Sequence, residues 1–537
     1  MKEKNNIIKY VIIFFFAVIY NITPLFFIEN IPIIDDSGRI LGFFSNLFDQ
    51  DGYLNQVSYL FRHQTNEHRM VTFRVLLLGL LKLTGSINFV HIIILANLIF
   101  TTSLITIITK IKSTSVLDTL ILCLILFIPL NLINNWALQG IVISLTLFFV
   151  LHSLFFLSKN GRKYYILGLT FAVLATYSFG VGMFTFICGL VVLILKKESV
   201  KRILICIATG LLAILYYFHD LTIVRDKPSL SEKLDENLLN IILSPFVFLS
   251  SFLKGVTTEP SILIPVGIML LGLMLALTIR EFKRVKENSL LFSFILFIGL
   301  IFASGSISRG YQNLLAPLTD RYQLYTSLFL ACSYLVFCWS SYNSKTPIKY
   351  IFIILVSMLF VTRASNSLSR MKNQQVKLNT EFDNYILGVQ CKHLLKGVVN
   401  RAINENIYSP SLNKQFTKNT FKIYNEINFD NEIRTPFKIV NINQNANAFK
   451  VKFISNLTNL KGKPYEIFVI IDDGVQKYKI LVDKKRIIKN NRIEGEILIN
   501  KKSVGSICNK KCKLGFLIES SGKTYFKMTK KVFHNND

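Results

Sequence analysis

Apolar residues in this chain come in long unbroken blocks, with polar residues gathered between them. "IIKYVIIFFFAVIYNITPLFFI" (7–28) and "FVHIIILANLIFTTSLITIIT" (89–109) are examples. Each is close to the roughly 20 residues that a helix needs to cross a bilayer. The pattern predicts about eleven such helices, near 7–28, 89–109, 115–132, 140–158, 164–178, 181–195, 203–218, 261–279, 289–304, 322–341 and 348–363. Buried core helices of a soluble protein do not recur in this number within one domain. The expected class is a polytopic α-helical membrane protein.

The connections alternate in character. "KIK" (110–112), "KNGRK" (159–163), "KKESVKR" (196–202), "REFKRVK" (280–286) and "YNSKTPIK" (342–349) are short and basic, as is the N-terminal "MKEKNNIIK". Basic loops stay in the cytoplasm, which places this set inside. The other set then faces outward: 29–88, "NNWALQG" (134–140), "SFGVG" (178–182), 219–260 and "GSISRGYQNLLAPLTDR" (305–321). An odd number of crossings puts the tail from about residue 364 outside too. "MVTFRVLLLGLLKLTG" (70–85) is apolar but carries Arg74 and Lys82. Each cation would cost about 2.5–3.5 kcal/mol at mid-membrane. Val71, Val75, Leu78 and Leu81 recur at helical spacing, so this stretch is expected to lie along the membrane surface.

Beyond the last block the periodicity changes. Residues 364–407 read as an amphipathic helical connector. Residues 408–537 hold short runs rich in Ile, Val, Tyr and Phe ("FKIVNI", "YEIFVIID", "RIEGEILI", "KLGFLIE") separated by turn residues, as in a small mainly-β extracytoplasmic domain.

Charge and cysteine refine this picture. The 537 residues carry a net charge of +29. The part from Ala364 onward has 31 Lys and Arg against 14 Asp and Glu, so over half of the excess lies in the tail. Such a surface is soluble and attracts anionic lipid or acidic glycan. No helix-turn-helix and no RNA-binding aromatic motif is present, so no nucleic-acid partner is expected. Of the eight Cys, five lie in apolar blocks, where Cys acts as a small hydrophobe. Cys508 and Cys512 are close enough for a local disulfide in an oxidising compartment.

Candidate chemistry concentrates in the first outward loop. "IPIIDDSGR" supplies Asp35 and Asp36, "HQTNEHRMVTFR" (63–74) supplies Glu67, His68 and Arg69, and the late outward loop adds Arg309, Arg321 and Tyr322. A carboxylate can take the proton of an acceptor hydroxyl. Arginines suit phosphate, and a His beside them can bind phosphate or donate a proton. The two acids are adjacent; on an extended loop they would point opposite ways, and Asp36 is preferred as the base. The spacing of His63 and His68 supplies no third metal ligand and so falls short of a metal site.

These residues resemble a known pattern. An acidic pair, then "NEHR" (66–69), "WALQG" (136–140), "YSFGVGMFTFICG" (177–189) and "SRGYQNLLAPLTDRY" (308–322) are similar to polytopic GT-C type glycosyltransferases, above all the serotype-converting O-antigen glucosyltransferases of bacteria. The resemblance covers roughly 1–363. It implies a GT-C-like catalytic domain in the inner membrane, with an undecaprenyl-phosphate-linked sugar, glucose by analogy, as donor. It also implies a surface polysaccharide such as O-antigen as acceptor, inverting transfer, and neither metal nor cofactor, since the family contains metal-independent members. Asp36 or Asp35 would be the base; Glu67, His68, Arg69, Arg309, Arg321 and Tyr322 would bind substrate. Three other readings stay open: a polymerase or ligase using a lipid-diphosphate donor, a transporter of lipid-linked glycans, and a non-catalytic membrane scaffold that displays the basic tail. Spans almost free of charge weigh against transport, because transporters place ionisable groups near the midplane.

Overall fold

The computed structural model describes residues 2–62, 68–110, 115–220, 230–254, 256–283, 288–310, 313–339, 346–386, 395–410 and eight strands beyond them. Two compact units result. The first comprises Met1–Asn373 with Ala402–Ser409, and the second Gln374–Arg401 with Pro410–Asp537.

The first unit is a bundle of apolar helices, and the protein is a polytopic helical membrane protein. Among the described residues seven helices are long and apolar enough to cross a bilayer: Asn5–Leu25, Phe89–Thr109, Ala137–Leu157, Val200–Phe218, Pro260–Arg280, Ser289–Gly310 and Lys349–Asn379. Central helices are buried nearly all round; in Ala137–Leu157 even Ser144, Thr146 and Ser153 are inaccessible. Peripheral ones expose large apolar side chains, such as Phe14 at 70% and Leu212 at 69%. Water would penalise that apolar outer belt, whereas lipid tails accept it.

Several elements differ from the sequence expectation. The block at 115–132 forms a shorter helix, Val116–Leu126, followed by an extended stretch and a turn of helix at Asn131–Asn134. Pro129 lies in that break. The expected loop 219–260 contains a helix, Leu230–Ser250, kinked at Asn237 and carrying Pro245. It packs so closely on Pro260–Arg280 that a Cβ at Gly267 would lie 2.0 Å from the Phe246 carbonyl oxygen. The last expected span continues without a break into the first part of the connector as one helix, Thr346–Ile386, and Lys396–Asn404 is a further helix of the connector.

The stretch 70–85 is a helix, Val71–Thr84, ended by Gly85 in the left-handed region at φ 75°. Its buried face is Val71, Phe73, Arg74, Leu77 and Leu81, while Val75 is exposed, so the stripe is rotated from the expected one. Arg74 is the cause. Its guanidinium donates to the carbonyls of Leu60 and Arg62, at the end of the Tyr53–Phe61 helix, and lies 4.4 Å from the Phe43 ring centre. A cation at a helix C-terminus meets unpaired carbonyls and the negative end of the dipole, which repays its burial.

Contacts between connections sort them to two ends of the bundle. At one end Lys196 donates to the Lys159 carbonyl, Tyr165 to the Arg202 carbonyl, and Lys349 pairs with Asp118 at 3.1 Å. At the other end the first loop meets the later ones. There Asn30 accepts from the Phe89 backbone and donates to the Ser409 carbonyl, and Ile87 bridges to Tyr408.

The second unit holds two antiparallel four-stranded sheets. They are built from β1 (Phe437–Asn445), β2 (Ala448–Asn456), β3 (Glu466–Asp472), β4 (Lys477–Leu481), β5 (Lys485–Ile488), β6 (Arg492–Asn500), β7 (Lys511–Ser520) and β8 (Lys523–His534). Their orders are β1-β2-β6-β5 and β4-β3-β7-β8. Cys508 lies outside the described residues.

Candidate functional site

Asp35 and Asp36 belong to a turn of helix, Ile34–Asp36, that runs into a wider π-helical turn at Ser37–Leu41. The Ile33 carbonyl closes the turn by accepting from the Asp36 and Ser37 amides. The acids are therefore about 100° apart around a helix, not opposed as on an extended loop. Their environments differ sharply. Asp36 is 1% exposed, whereas the Asp35 side chain is 35% exposed, with Arg39 Nε 3.7 Å away.

Asp36 is tied to a motif a hundred residues on. Its Oδ1 accepts from Trp136 Nε1 at 3.1 Å and from the Leu138 amide at 3.0 Å, and its Oδ2 from the Ile33 amide at 3.1 Å. Leu138 is in the first turn of the Ala137–Leu157 helix, whose own N-cap, Trp136, offers no side-chain acceptor. Asp36 thus supplies from a distance the oxygen that a helix start requires. Burial pushes its carboxyl up to about 7 despite the opposing pull of the three N–H donors, and the Asp35 charge adds to the rise.

His68 and Arg69 form a second cluster. Arg69 is buried, donates to the His219 carbonyl, and lies over the Tyr216 ring, 4.7 Å from its centre. The Arg69 amide donates to Tyr217 Oη at 3.4 Å, and that hydroxyl is 3.5 Å from His68 Nδ1. The His68 ring centre is 4.5 Å from that of Phe179. Beside them runs the "SFGVG" break: a Cβ on Gly180 would stand 3.0 Å from Tyr217 Oη and 3.5 Å from His68 Nδ1. Close approach of backbone to this cluster is what the glycine permits.

Arg309, Arg321 and Tyr322 lie elsewhere. Arg309 is exposed on the π-helical turn Ser306–Gly310, which packs through Gly310 on Ser244. Arg321 is half-buried over the ring of its neighbour Tyr322, 5.0 Å from its centre, and Tyr322 meets Phe248 edge-on at 4.8 Å. Glu67 lies outside the described residues. The structure therefore gathers the sequence candidates into three groups rather than one.

The chain matches no protein-family model and no curated protein.

Sequence reading missed the aromatic side of the second cluster. Tyr177, Phe179, Tyr216 and Tyr217 sit in or beside apolar blocks, where aromatics read as lipid-facing or core. The usable signal was "YYFHD" (216–220), two Tyr and a His at the end of a span, opposite an arginine-bearing loop. Aromatic faces stabilise a guanidinium.

Proposed function

We propose that this chain transfers a sugar from a polyprenyl-phosphate carrier to a surface glycan, on the non-cytoplasmic face of a bacterial inner membrane. The end that bears Lys159, Lys196 and Lys349 is read as cytoplasmic by the positive-inside rule. The short helices Val116–Leu126 and Gly180–Leu195, with Arg162–Ser178 and Asp320–Trp339, complete eleven crossings. The strands beyond Pro436 are then an outward β domain.

One observation carries this reading. The first outward loop is fastened, at the acidic pair and at His68, to two of the three other stretches that carry the family resemblance: Asp36 to Trp136 and Leu138, and His68 to Phe179. Polar residues scattered at random would have no reason to meet in this pairing.

The chemistry is an inverting single displacement. A carboxylate takes the acceptor hydroxyl proton, the acceptor oxygen attacks the anomeric carbon, and the carbon–oxygen bond to phosphate breaks. The phosphate leaves with the bonding pair, beside cations that offset its charge. Geometry ranks the acids. Asp35 is open to an acceptor, whereas Asp36 is enclosed and already accepts three N–H bonds. Asp35 is therefore the base, and Asp36 holds the loop in place. Arg69 and His68 face the phosphate.

The test is mass spectrometry of surface glycans from a deletion strain complemented with variants at matched membrane levels. Wild type restores one hexose per repeat; Asp35→Asn and Arg69→Ala do not. Restoration by both variants would end the transferase reading.

A further inference from the structure

Beyond the long helix Thr346–Ile386 the chain returns once to the membrane unit. Residues 374–401 and those from Pro410 on belong to the second unit, but Ala402–Ser409 between them belongs to the first. A helix end builds the return. The helix that stops at Asn404 closes in a Schellman motif: the Asn406 amide donates to the Ile403 carbonyl, and the Ile407 amide to the Ala402 carbonyl. Asn406 takes the left-handed region at φ 56°, which asparagine tolerates better than most side chains. The turn delivers Ile407 and Tyr408 alongside Ile87, where Tyr408 forms a parallel bridge.

These eight residues reach both ends of the first outward loop. At its exit the Ile87 amide donates to the Ile407 carbonyl at 2.6 Å. At its entrance Tyr408 Oη donates to the Asn30 carbonyl at 2.5 Å. Asn30 joins the two ends: its side chain accepts from the Phe89 amide at 2.8 Å and donates to the Ser409 carbonyl at 2.9 Å. The Tyr408 ring meets Phe89 edge-on, with centres 5.6 Å apart. Asn30 is 3% exposed and Tyr408 1%. Buried polar groups need partners, and these two find them in each other's segments, 378 positions apart.

The entrance tie lies close to the acidic turn. Three residues after Asn30, Ile33 supplies both the carbonyl that closes the Asp35–Asp36 turn and an amide that donates to Asp36. Ile31 and Pro32 between them are buried, and proline fixes its own φ. A short, stiff, buried lead passes a displacement of Asn30 to the turn instead of absorbing it. From this we infer that Ala402–Ser409 is a clasp on the two ends of the first outward loop, with Tyr408 as a positioning residue for the acidic turn. Its role in sugar transfer rests on the transfer reading; the clasp itself does not. On that reading the outward acids depend on residues of the tail, beyond the part of the chain that carries the family resemblance.

The test compares the full chain as wild type, Tyr408→Phe, Asn30→Ala and Tyr165→Phe by hydrogen–deuterium exchange in detergent. Tyr165→Phe is the control, because it removes a like hydroxyl-to-carbonyl bond, to Arg202, at the opposite end of the bundle. One lost hydrogen bond predicts that amides at 31–41 and 85–89 exchange about three- to tenfold faster in Tyr408→Phe. Asn30→Ala is expected to free the same peptides, and Tyr165→Phe to leave them at the wild-type rate. Wild-type exchange at 31–41 in either Tyr408→Phe or Asn30→Ala overturns the clasp. A uniform rise that includes Ala137–Leu157 also overturns it, since that reports lost global stability and not a local tie. Transfer is measured in parallel at matched membrane levels: Tyr408→Phe should lower hexose addition several-fold and Tyr165→Phe should not. Faster exchange with undiminished transfer overturns the positioning role. Restoration of transfer by Asp35→Asn and Arg69→Ala would end the transfer reading and leave the exchange result standing.

Discussion

Replacing Asp36 by alanine would strip the acceptor from three buried N–H groups at once: the Ile33 amide, the Trp136 indole and the Leu138 amide. Each buried donor left without a partner costs about 1–3 kcal/mol. The three share one carboxyl and do not add fully, and the variant also avoids burying an acid. A net loss of roughly 2–4 kcal/mol follows. Asparagine keeps an oxygen for Trp136 and Leu138 but turns its amide toward the Ile33 N–H, for a loss of about 1–2 kcal/mol. Trp136 is one of two tryptophans in the chain, so its emission reports the site directly during thermal unfolding in detergent.

The same carboxyl predicts a pH dependence. Its folded pKa, about 7, stands above the ordinary value of 3.8. The folded state therefore binds the proton more tightly than the unfolded chain does. This contribution is full below about pH 4 and is lost as pH rises through about 7, with a slope of at most about 1.4 kcal/mol per pH unit. Asparagine cannot titrate, so the stability of wild type relative to Asp36→Asn should be greater at pH 5 than at pH 8. Unfolding midpoints that run parallel across that range would refute the burial argument. An Asp36→Ala variant as stable as wild type but inactive in transfer would refute the positioning role and return Asp36 to the chemistry.

Arg69→Lys should fail to restore glycan modification, since an ammonium cannot both lie flat over Tyr216 and reach the His219 carbonyl; restoration at matched protein levels would show that charge alone suffices. Gly182→Ala should destabilise severely, by about 3 kcal/mol or more, because its Cβ would stand 1.9 Å from the Ala175 carbonyl oxygen; Gly79→Ala, with open space around it in a helix, should stabilise by about 0.5–1 kcal/mol in the same unfolding assay. Breaking the buried Asp118–Lys349 pair from either side should cost about 3–5 kcal/mol, and an apolar double replacement should recover most of it. Single and double variants that lose stability equally would place the cost in packing instead.

Helix positions were legible because a bilayer-spanning block is a local property of composition, and the two-ended sorting of the loops was legible because charge marks the loops. Prolines hid what lay between. Pro245 and the polar residues before it made Leu230–Ser250 read as loop, although its residues from Asn237 on are as apolar as those of a short span. The acidic pair was not legible as a helical turn, since Ile33 closes that turn through backbone hydrogen bonds that leave no mark on residue type. Arg74 and Arg363 expose the same weakness from opposite directions. Arg74 was given an interfacial place because a lone cation in apolar sequence is expensive, and Arg363 closed the last apolar block; each is buried against partners outside its own block. For Arg74 they are the carbonyls of Leu60 and Arg62; for Arg363 they are Gln323 and Ser327, some 40 positions away. An apolar block read by itself carries the cost of a buried charge but not the compensation that partners outside the block supply. The cations in this chain that look misplaced by composition are for that reason the first places to search for a function.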